Sequence, residues 1–114
     1  MHELSIAMSI VDLAQEEAEK RNVRVSAVHL KLGALSGVVK EALLGSYELA
    51  AAGTALEGSR LVIQEQPVVV FCAACGQARE LPSIQYFRCP ECGGPTSDVR
   101  EGRDLQVTAL ELAT

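Results

Sequence analysis

The segments Cys72-Ala73-Ala74-Cys75-Gly76 and Cys89-Pro90-Glu91-Cys92-Gly93 repeat one pattern, C-x2-C-G, and this pattern decides how the middle of the chain folds. Two residues between the cysteines let one tight turn direct both sulfur atoms at a common point. The glycine after each pair allows the backbone to curl around the sulfurs. Two such turns at the ends of hairpins place four thiolates at the corners of a tetrahedron. The pattern therefore predicts a four-sulfur metal site, and we expect a zinc ion there.

A site with four cysteine ligands has no open coordination position, so we expect the zinc to be structural and not hydrolytic. The segment 67–104 has few apolar side chains, and metal binding is expected to supply most of its folding free energy. Two other interpretations stay open. The two C-x2-C-G turns, called knuckles below, also resemble those of rubredoxin, an iron electron carrier. Alternatively, the segment is a zinc ribbon that serves purely as a protein-interaction module without transferable metal.

The composition excludes several classes of function. The chain has 114 residues, a formal net charge of −5 and 48% hydrophobic residues, which is typical of a small acidic globular protein. An acidic chain repels phosphates, so no nucleic-acid partner is expected. No apolar run approaches the roughly 20 residues that cross a bilayer, and no signal peptide is recognisable at the start. We therefore expect a cytoplasmic protein with no membrane partner, in which cysteines bind metal more readily than they form disulfides.

Two stretches near the start of the chain carry the periodicity of a helix and then of a strand. Apolar residues recur every three or four positions from Leu4 to Arg21, which predicts an amphipathic helix that stops at Asn22. From Arg24 to Leu32 the residues alternate, which predicts a strand with one face on the core. The inward face is Val28, Leu30 and Leu32, and the outward face is Ala27, His29 and Lys31.

The remaining elements lie on either side of the cysteine segment. Residues 39–52 fit a second helix, with Ser36 as a cap at its start and Gly53 in the left-handed position at its end. Residues 60–66 and 104–112 are predicted strands. The expected inner face of the second helix is Leu43, Leu44, Tyr47 and Ala51.

This order of elements predicts an α+β fold in which two helices pack on a three-stranded sheet, with an inserted zinc-ribbon-like lobe of β-hairpins. Residues 1–66 plus 105–114 would form the α/β domain, and residues 67–104 the zinc-binding lobe. The last strand would return from the lobe to complete the sheet.

The first three residues, Met1-His2-Glu3, are candidate metal ligands. A helix that starts at residue 4 leaves the terminal amine and His2 at its N-terminal end. The Met1 amine, the amide nitrogen and Nδ1 of His2, and the Glu3 amide nitrogen form a planar set that suits Ni(II) or Cu(II). The bulky His2 is also expected to protect Met1 from removal. In the alternative interpretation His2 is a frayed terminal residue and Glu3 interacts with the helix dipole.

Four motifs occur together along the chain. They are Met1-His2-Glu3-Leu4-Ser5, Leu32-Gly33-Ala34-Leu35-Ser36-Gly37-Val38, Gly53-Thr54-Ala55-Leu56-Glu57-Gly58 and the pair of cysteine knuckles. Their order resembles the HypA/HybF family of hydrogenase nickel-incorporation proteins over nearly the whole chain. An N-terminal M-H-E in front of a zinc insertion is much more specific than a zinc knuckle alone.

The resemblance implies a nickel metallochaperone that is not an enzyme. By similarity, Ni(II) would be bound by His2 with the Met1 amine and the Glu3 amide, and transferred during maturation of [NiFe]-hydrogenase. Structural Zn(II) would be held by the four cysteines Cys72, Cys75, Cys89 and Cys92. The implied partners are the GTPase HypB and the hydrogenase large subunit, and some members of the family also serve urease. We expect a monomer or a weak homodimer.

The chain departs from the family after Val38. The family often places an acidic residue and a proline there, whereas this chain has Val39-Lys40 followed by Glu41. A carboxylate ligand for nickel is therefore not carried over to this segment. We interpret Glu41 as an acid at the start of a helix and His29 as a solvated strand residue, with a role for either as a further nickel ligand left open.

Overall fold

The computed structural model describes residues 2–113 and has an α+β fold, as predicted. Within residues 2–113, two α-helices and six strands follow one another. Strands β2, β1 and β6 form one sheet in that order, and β4, β3 and β5 form a second. The elements are α1 Glu3–Arg21, β1 Arg24–Gly33, α2 Lys40–Ala51, β2 Arg60–Gln66, β3 Val69–Cys72, β4 Gln77–Glu80, β5 Val99–Glu101 and β6 Leu105–Ala113.

Helix α1 stops where the sequence predicts. Asn22 has φ 53° and ψ 46°, a left-handed conformation that asparagine tolerates better than most residues. The N–H groups of Asn22 and Val23 then donate to the carbonyl oxygens of Glu19 and Ala18 at 3.2 and 3.1 Å. The buried stripe of the helix, which packs near α2, consists of Ala7, Ile10, Val11, Ala14 and Ala18.

The predicted cap of α2 is wrong. The helix begins at Lys40 with Val39 in the N-cap position and no side-chain capping bond, whereas Ser36 lies in a turn and donates its N–H to the Gly33 carbonyl oxygen. Gly37, at φ 78°, separates Ser36 from the helix, so the serine is too far upstream to cap it. At the other end Gly53 does adopt a positive φ, 75°. Leu43, Tyr47 and Ala51 are buried as expected, while Leu44 is only half-buried.

Strand β1 alternates less strictly than its sequence suggests. Ala27, expected on the outward face, is completely buried, and so is its neighbour Val28. The strand lies between β2 and β6. A central strand has neighbours on both sides, and the single methyl group of alanine does not reach past their larger side chains to solvent.

The described residues fall into two compact units. One contains both helices and consists of residues 2–30, 37–64 and 106–113, and the other consists of residues 31–36 and 65–105. The predicted division into domains at 66/67 and 104/105 stays a prediction. No helix among residues 2–113 combines the length and apolar character that a membrane crossing requires.

The second unit, residues 31–36 and 65–105, has a small core. Strand β3 pairs antiparallel with β4 and with β5. Gly33 and Gly102 lie so close together that a Cβ on Gly33 would sit 2.3 Å from the Gly102 carbonyl oxygen. The core consists of Val68, Val70 and Leu81, with Leu35, Phe87 and Val99 packed against it.

Candidate metal sites

The two C-x2-C-G segments form turns of the same local geometry. The Gly76 N–H donates to the Cys72 carbonyl oxygen at 2.8 Å, and the Gly93 N–H donates to the Cys89 carbonyl oxygen at the same distance. Both glycines have positive φ, 68° and 73°, which explains why glycine follows each cysteine pair. The first turn joins β3 to β4, and the second lies between the bridged residues Arg88 and Pro95.

These turns bring the four cysteine sulfurs together, and none of the four cysteines is in a disulfide. All four sulfur atoms lie within 4.8 Å of one another. The sulfurs of Cys72 and Cys92 are 3.6 Å apart, and those of Cys75 and Cys89 are 3.8 Å apart. A tetrahedral zinc ion with Zn–S bonds of 2.3 Å requires sulfurs about 3.8 Å apart. The cluster therefore fits zinc in ligand type, ligand number and spacing.

Backbone N–H groups and neighbouring sulfurs shift the pKa values of the thiols in opposite directions. Hydrogen bonding from the Cys92 N–H first, and from the Glu91 N–H as well, lowers the pKa of Cys89 to about 6. The Gly94 N–H also lowers the pKa of Cys92, but the sulfurs around Cys92 outweigh it and raise that pKa to about 11. Four thiols this close do not all ionise by themselves. A bound dication supplies the charge that lets every sulfur become a thiolate.

The four cysteines differ in burial, with Cys75 half-buried, and a cation favours the cluster. Cys72 and Cys89 are buried, whereas Cys92 is exposed. Hydrogen bonding to the sulfur of Cys75 first, and to that of Cys89 as well, raises the pKa of the Arg79 guanidinium above its usual value. Arg79 was not predicted from the sequence as part of this site. Its place in the strand that leaves the first knuckle was the available signal, but that signal required the strand pairing to be known.

At the other candidate site, His2 stands immediately before α1, and Met1 lies outside the described residues. His2 occupies the N-cap position, and its carbonyl oxygen accepts the first helical hydrogen bond, from Ile6 N–H at 3.2 Å. Its imidazole makes no capping hydrogen bond and is exposed.

Glu3 uses its side chain for backbone hydrogen bonds. Its Oε2 accepts a hydrogen bond from the Val39 N–H at 3.1 Å. This bond, followed by one from the N–H of Glu3 itself, lowers the pKa of the carboxyl group below its usual range. The carboxylate thus joins the start of α1 to the residue that precedes α2.

His29 and Glu41 were left open as further nickel ligands, and their surroundings differ from those of His2 and Glu3. The His29 Nε2 is 2.7 Å from the Glu111 Oε2, which also lies 3.6 Å from the Arg60 Nη2. Thus His29 has a specific partner and is not merely solvated. Glu41 lies in the first turn of α2, as expected. Within the described part of the chain, the four cysteines are the one cluster of three or more potential metal ligands.

Comparison with known proteins identifies the family. The family model described as "Hydrogenase/urease nickel incorporation, metallochaperone, hypA" matches residues 1–112. The hydrogenase maturation factor HypA of Roseiflexus sp. is 51% identical over 112 residues, which cover 97% of this chain and 91% of the relative. The corresponding factor of Chloroflexus aurantiacus is 50% identical and is covered to 98%.

Solved structures agree with the fold. The solution structure of the Ni metallochaperone HypA from Helicobacter pylori has a TM-score of 0.65 at 22% identity, covering 98% of this chain and 97% of that one. A second solution structure of a HypA protein has a TM-score of 0.72, also at 22% identity, covering 99% and 97%. At this identity the likeness concerns the fold. With the family match over nearly the full length, these comparisons show that the chain belongs to the HypA family of hydrogenase/urease nickel-incorporation metallochaperones.

Proposed function

We propose that this chain binds Ni(II) through Met1, His2 and Glu3 and delivers it during maturation of [NiFe]-hydrogenase, while zinc at the four cysteines has a structural role. The family match over residues 1–112 supports the general role. Membership in a family of metallochaperones also supports a carrier and not an enzyme.

The observation that carries the nickel proposal is the position of His2. Its imidazole is exposed directly before α1 and is not used to cap the helix. Nδ1 and the amide nitrogen of His2 belong to one residue, and the Met1 amine and the Glu3 amide flank them in the sequence. Four nitrogens in this order form fused chelate rings in one plane, the arrangement that Ni(II) prefers among nitrogen ligands.

Glu3 contributes in two separate ways. Its amide nitrogen would be the fourth ligand, which requires loss of the proton that now points to the residue's own carboxylate. The carboxylate itself stays bonded to the Val39 N–H and holds the start of α1 in place. Because the His2 side chain is exposed, a recipient protein would reach the ion and displace the nitrogens one at a time.

The four-cysteine cluster supplies no open coordination position when zinc fills it, so it supports stability and not catalysis. Zinc would be held by Cys72 and Cys75 from one turn and by Cys89 and Cys92 from the other. The partners that we propose are the GTPase HypB and the hydrogenase large subunit, in the cytoplasm. The names of the relatives, hydrogenase maturation factors, support this setting.

The test is a titration of the untagged protein with Ni(II). Calorimetry measures the binding, and absorption spectroscopy records the d–d bands of planar nickel. The chain has two histidines, so His29→Ala is a matched control for His2→Ala. We expect His2→Ala to lose nickel binding and the planar absorption, and His29→Ala to keep both. If His2→Ala binds nickel as the unmodified protein does, the terminal site is wrong.

Equilibrium dialysis and visible absorption separate the remaining interpretations. A zinc-ribbon interaction module would hold about one zinc per chain and no nickel-selective site. A rubredoxin-like electron carrier would show iron–thiolate bands that disappear on reduction. The proposed carrier holds zinc and one further nickel ion together.

A further inference from the structure

The register of the second sheet places Arg79 on its buried face. In the antiparallel pair of β3 and β4, Arg79 lies opposite Val70, and Gln77 lies opposite Cys72. Residues directly opposite one another in such a pair point their side chains to the same face. Val70 is completely buried and Cys72 is 2% exposed. The stem of Arg79 therefore leaves the strand on the face where the core of this unit begins.

Arg79 as a whole is half-buried, and the part of its guanidinium that is out of water needs a negative partner. Its Nε is buried and has no hydrogen-bond partner among the described residues. No carboxylate in the described part of the chain forms an ion pair with it, in contrast to Arg60 and Arg100. Charged side chains are rarely withdrawn from water without compensation.

The compensation comes from the cysteine sulfurs. Arg79 shares this face of the sheet with Cys72, whose sulfur lies within 4.8 Å of the other three. The sulfurs of Cys75 and Cys89 are the groups that favour the charged guanidinium. Cys75 belongs to the first knuckle and Cys89 to the second, with their sulfurs 3.8 Å apart. A planar guanidinium with several N–H donors can face two such atoms at once, whereas a lysine ammonium is a compact point charge.

We propose that Arg79 is the charge partner of the four-cysteine site, a positioning residue that contacts one sulfur from each knuckle and raises the affinity of the site for zinc. This inference rests on the zinc site of the proposed function. Four thiolates and a zinc ion carry a formal charge of −2, and Arg79 compensates half of it. It also restrains two sulfurs from different turns in the relative position that the ion needs.

The experiment compares the full-length variants Arg79→Gln, Arg79→Lys and Arg100→Gln with the unmodified protein. The Arg100 substitution is a matched control because it removes the same charge within the same unit. Its guanidinium is engaged elsewhere, 2.8 Å from Asp98 and 4.6 Å from the centre of the Phe71 ring. Zinc affinity is measured by competition with a chelator. Co(II) is then substituted for zinc, and the sulfur-to-cobalt charge-transfer band is recorded.

We expect Arg79→Gln to weaken zinc binding about 10- to 100-fold, the usual effect of removing a residue that supports metal ligands. The cobalt band should move to lower energy, since sulfurs without a cation beside them donate electrons more readily. Arg79→Lys should bind with intermediate affinity, and Arg100→Gln should behave as the unmodified protein does.

Two results would overturn the inference. In the first, Arg79→Gln keeps its zinc affinity within about twofold, well short of the expected loss. In the second, affinity falls but the cobalt band does not move and lysine does not restore any binding, which indicates a purely structural role. Failure of the zinc site itself is recognised separately, because the unmodified protein would then bind neither Zn(II) nor Co(II).

Discussion

The carboxylate of Glu3 accepts a hydrogen bond from the backbone N–H of Val39 at 3.1 Å, although 36 residues separate them in the chain. Val39 is the N-cap residue of α2, and no side chain caps that helix. Glu3 therefore links the beginnings of both helices. The hydrogen bond also restrains Glu3 itself, which follows His2 in the proposed nickel site.

The Glu3–Val39 bond predicts a pH dependence that NMR can measure. Because the bond lowers the pKa of Glu3 from its ordinary value of 4.5, the charged carboxylate is favoured in the folded state. The interaction is fully present above pH 4.5 and is lost as the pH falls through the lower folded value. We expect the Val39 amide shift to titrate with a midpoint below 4.5 and Glu3→Gln to abolish this titration. A midpoint at or above 4.5 would contradict the hydrogen bond.

A short extension at the N terminus should abolish nickel binding even though His2 stays in place. Adding Gly-Ser before Met1 converts the proposed amine ligand into an amide and moves the free amine two residues away. Calorimetry with Ni(II) measures the loss, and the same dipeptide added after Thr114 is the control. Equal nickel affinity in the two extended proteins would exclude the amine as a ligand.

Cys75→Ser should release zinc and unfold the small second sheet while most of the helix signal survives. Both helices belong to the first unit, and the four cysteines belong to the second. Metal analysis measures the zinc, circular dichroism the helices, and amide spectra the residues of β3–β5. Ala73→Ser is the control, because it adds the same hydroxyl to the exposed middle of the same turn and leaves every ligand in place. Full zinc occupancy in Cys75→Ser would speak against a four-sulfur site.

Two glycine substitutions should have opposite effects on stability. A Cβ on Gly33 would lie 2.3 Å from the carbonyl oxygen of Gly102, so the backbone has to move. We expect Gly33→Ala to lower the free energy of unfolding by about 1–3 kcal/mol. Gly45 lies inside α2 with nothing within 4 Å of its added Cβ. Gly45→Ala should raise the free energy of unfolding by about 0.5–1 kcal/mol, since alanine is the better helix former.

Urea unfolding of both glycine variants, with zinc bound, measures these changes. If Gly33→Ala is as stable as the unmodified protein, the close approach of the two backbone segments is not present in solution. If Gly45→Ala is less stable than the unmodified protein, Gly45 does not lie within α2 with open space around it.

Features that depend on a few neighbouring residues were predictable from the sequence. The stop of α1 at Asn22 and the positive φ of Gly53 follow from backbone preferences of single residues. The apolar periodicity predicted the two helices, and the alternating residues predicted the strands of the first sheet. The spacing of the cysteines likewise predicted two similar turns, because the positions of the sulfurs within a knuckle depend on four residues only.

Features that depend on distant residues were not predictable. Ser36 looked like a helix cap, but Val39 occupies that position and bonds to Glu3. The contact between the His29 ring and the Glu111 carboxylate requires a residue of the last strand.

The sequence by itself determined the helices, the strands of the first sheet and the two cysteine turns, because each arises from interactions within one turn or one strand. Only the tertiary structure decided which backbone N–H the Glu3 carboxylate bonds to and that Arg79 lies opposite Val70. Those pairings depend on strand register and chain reversal, which bring together groups that no local pattern relates.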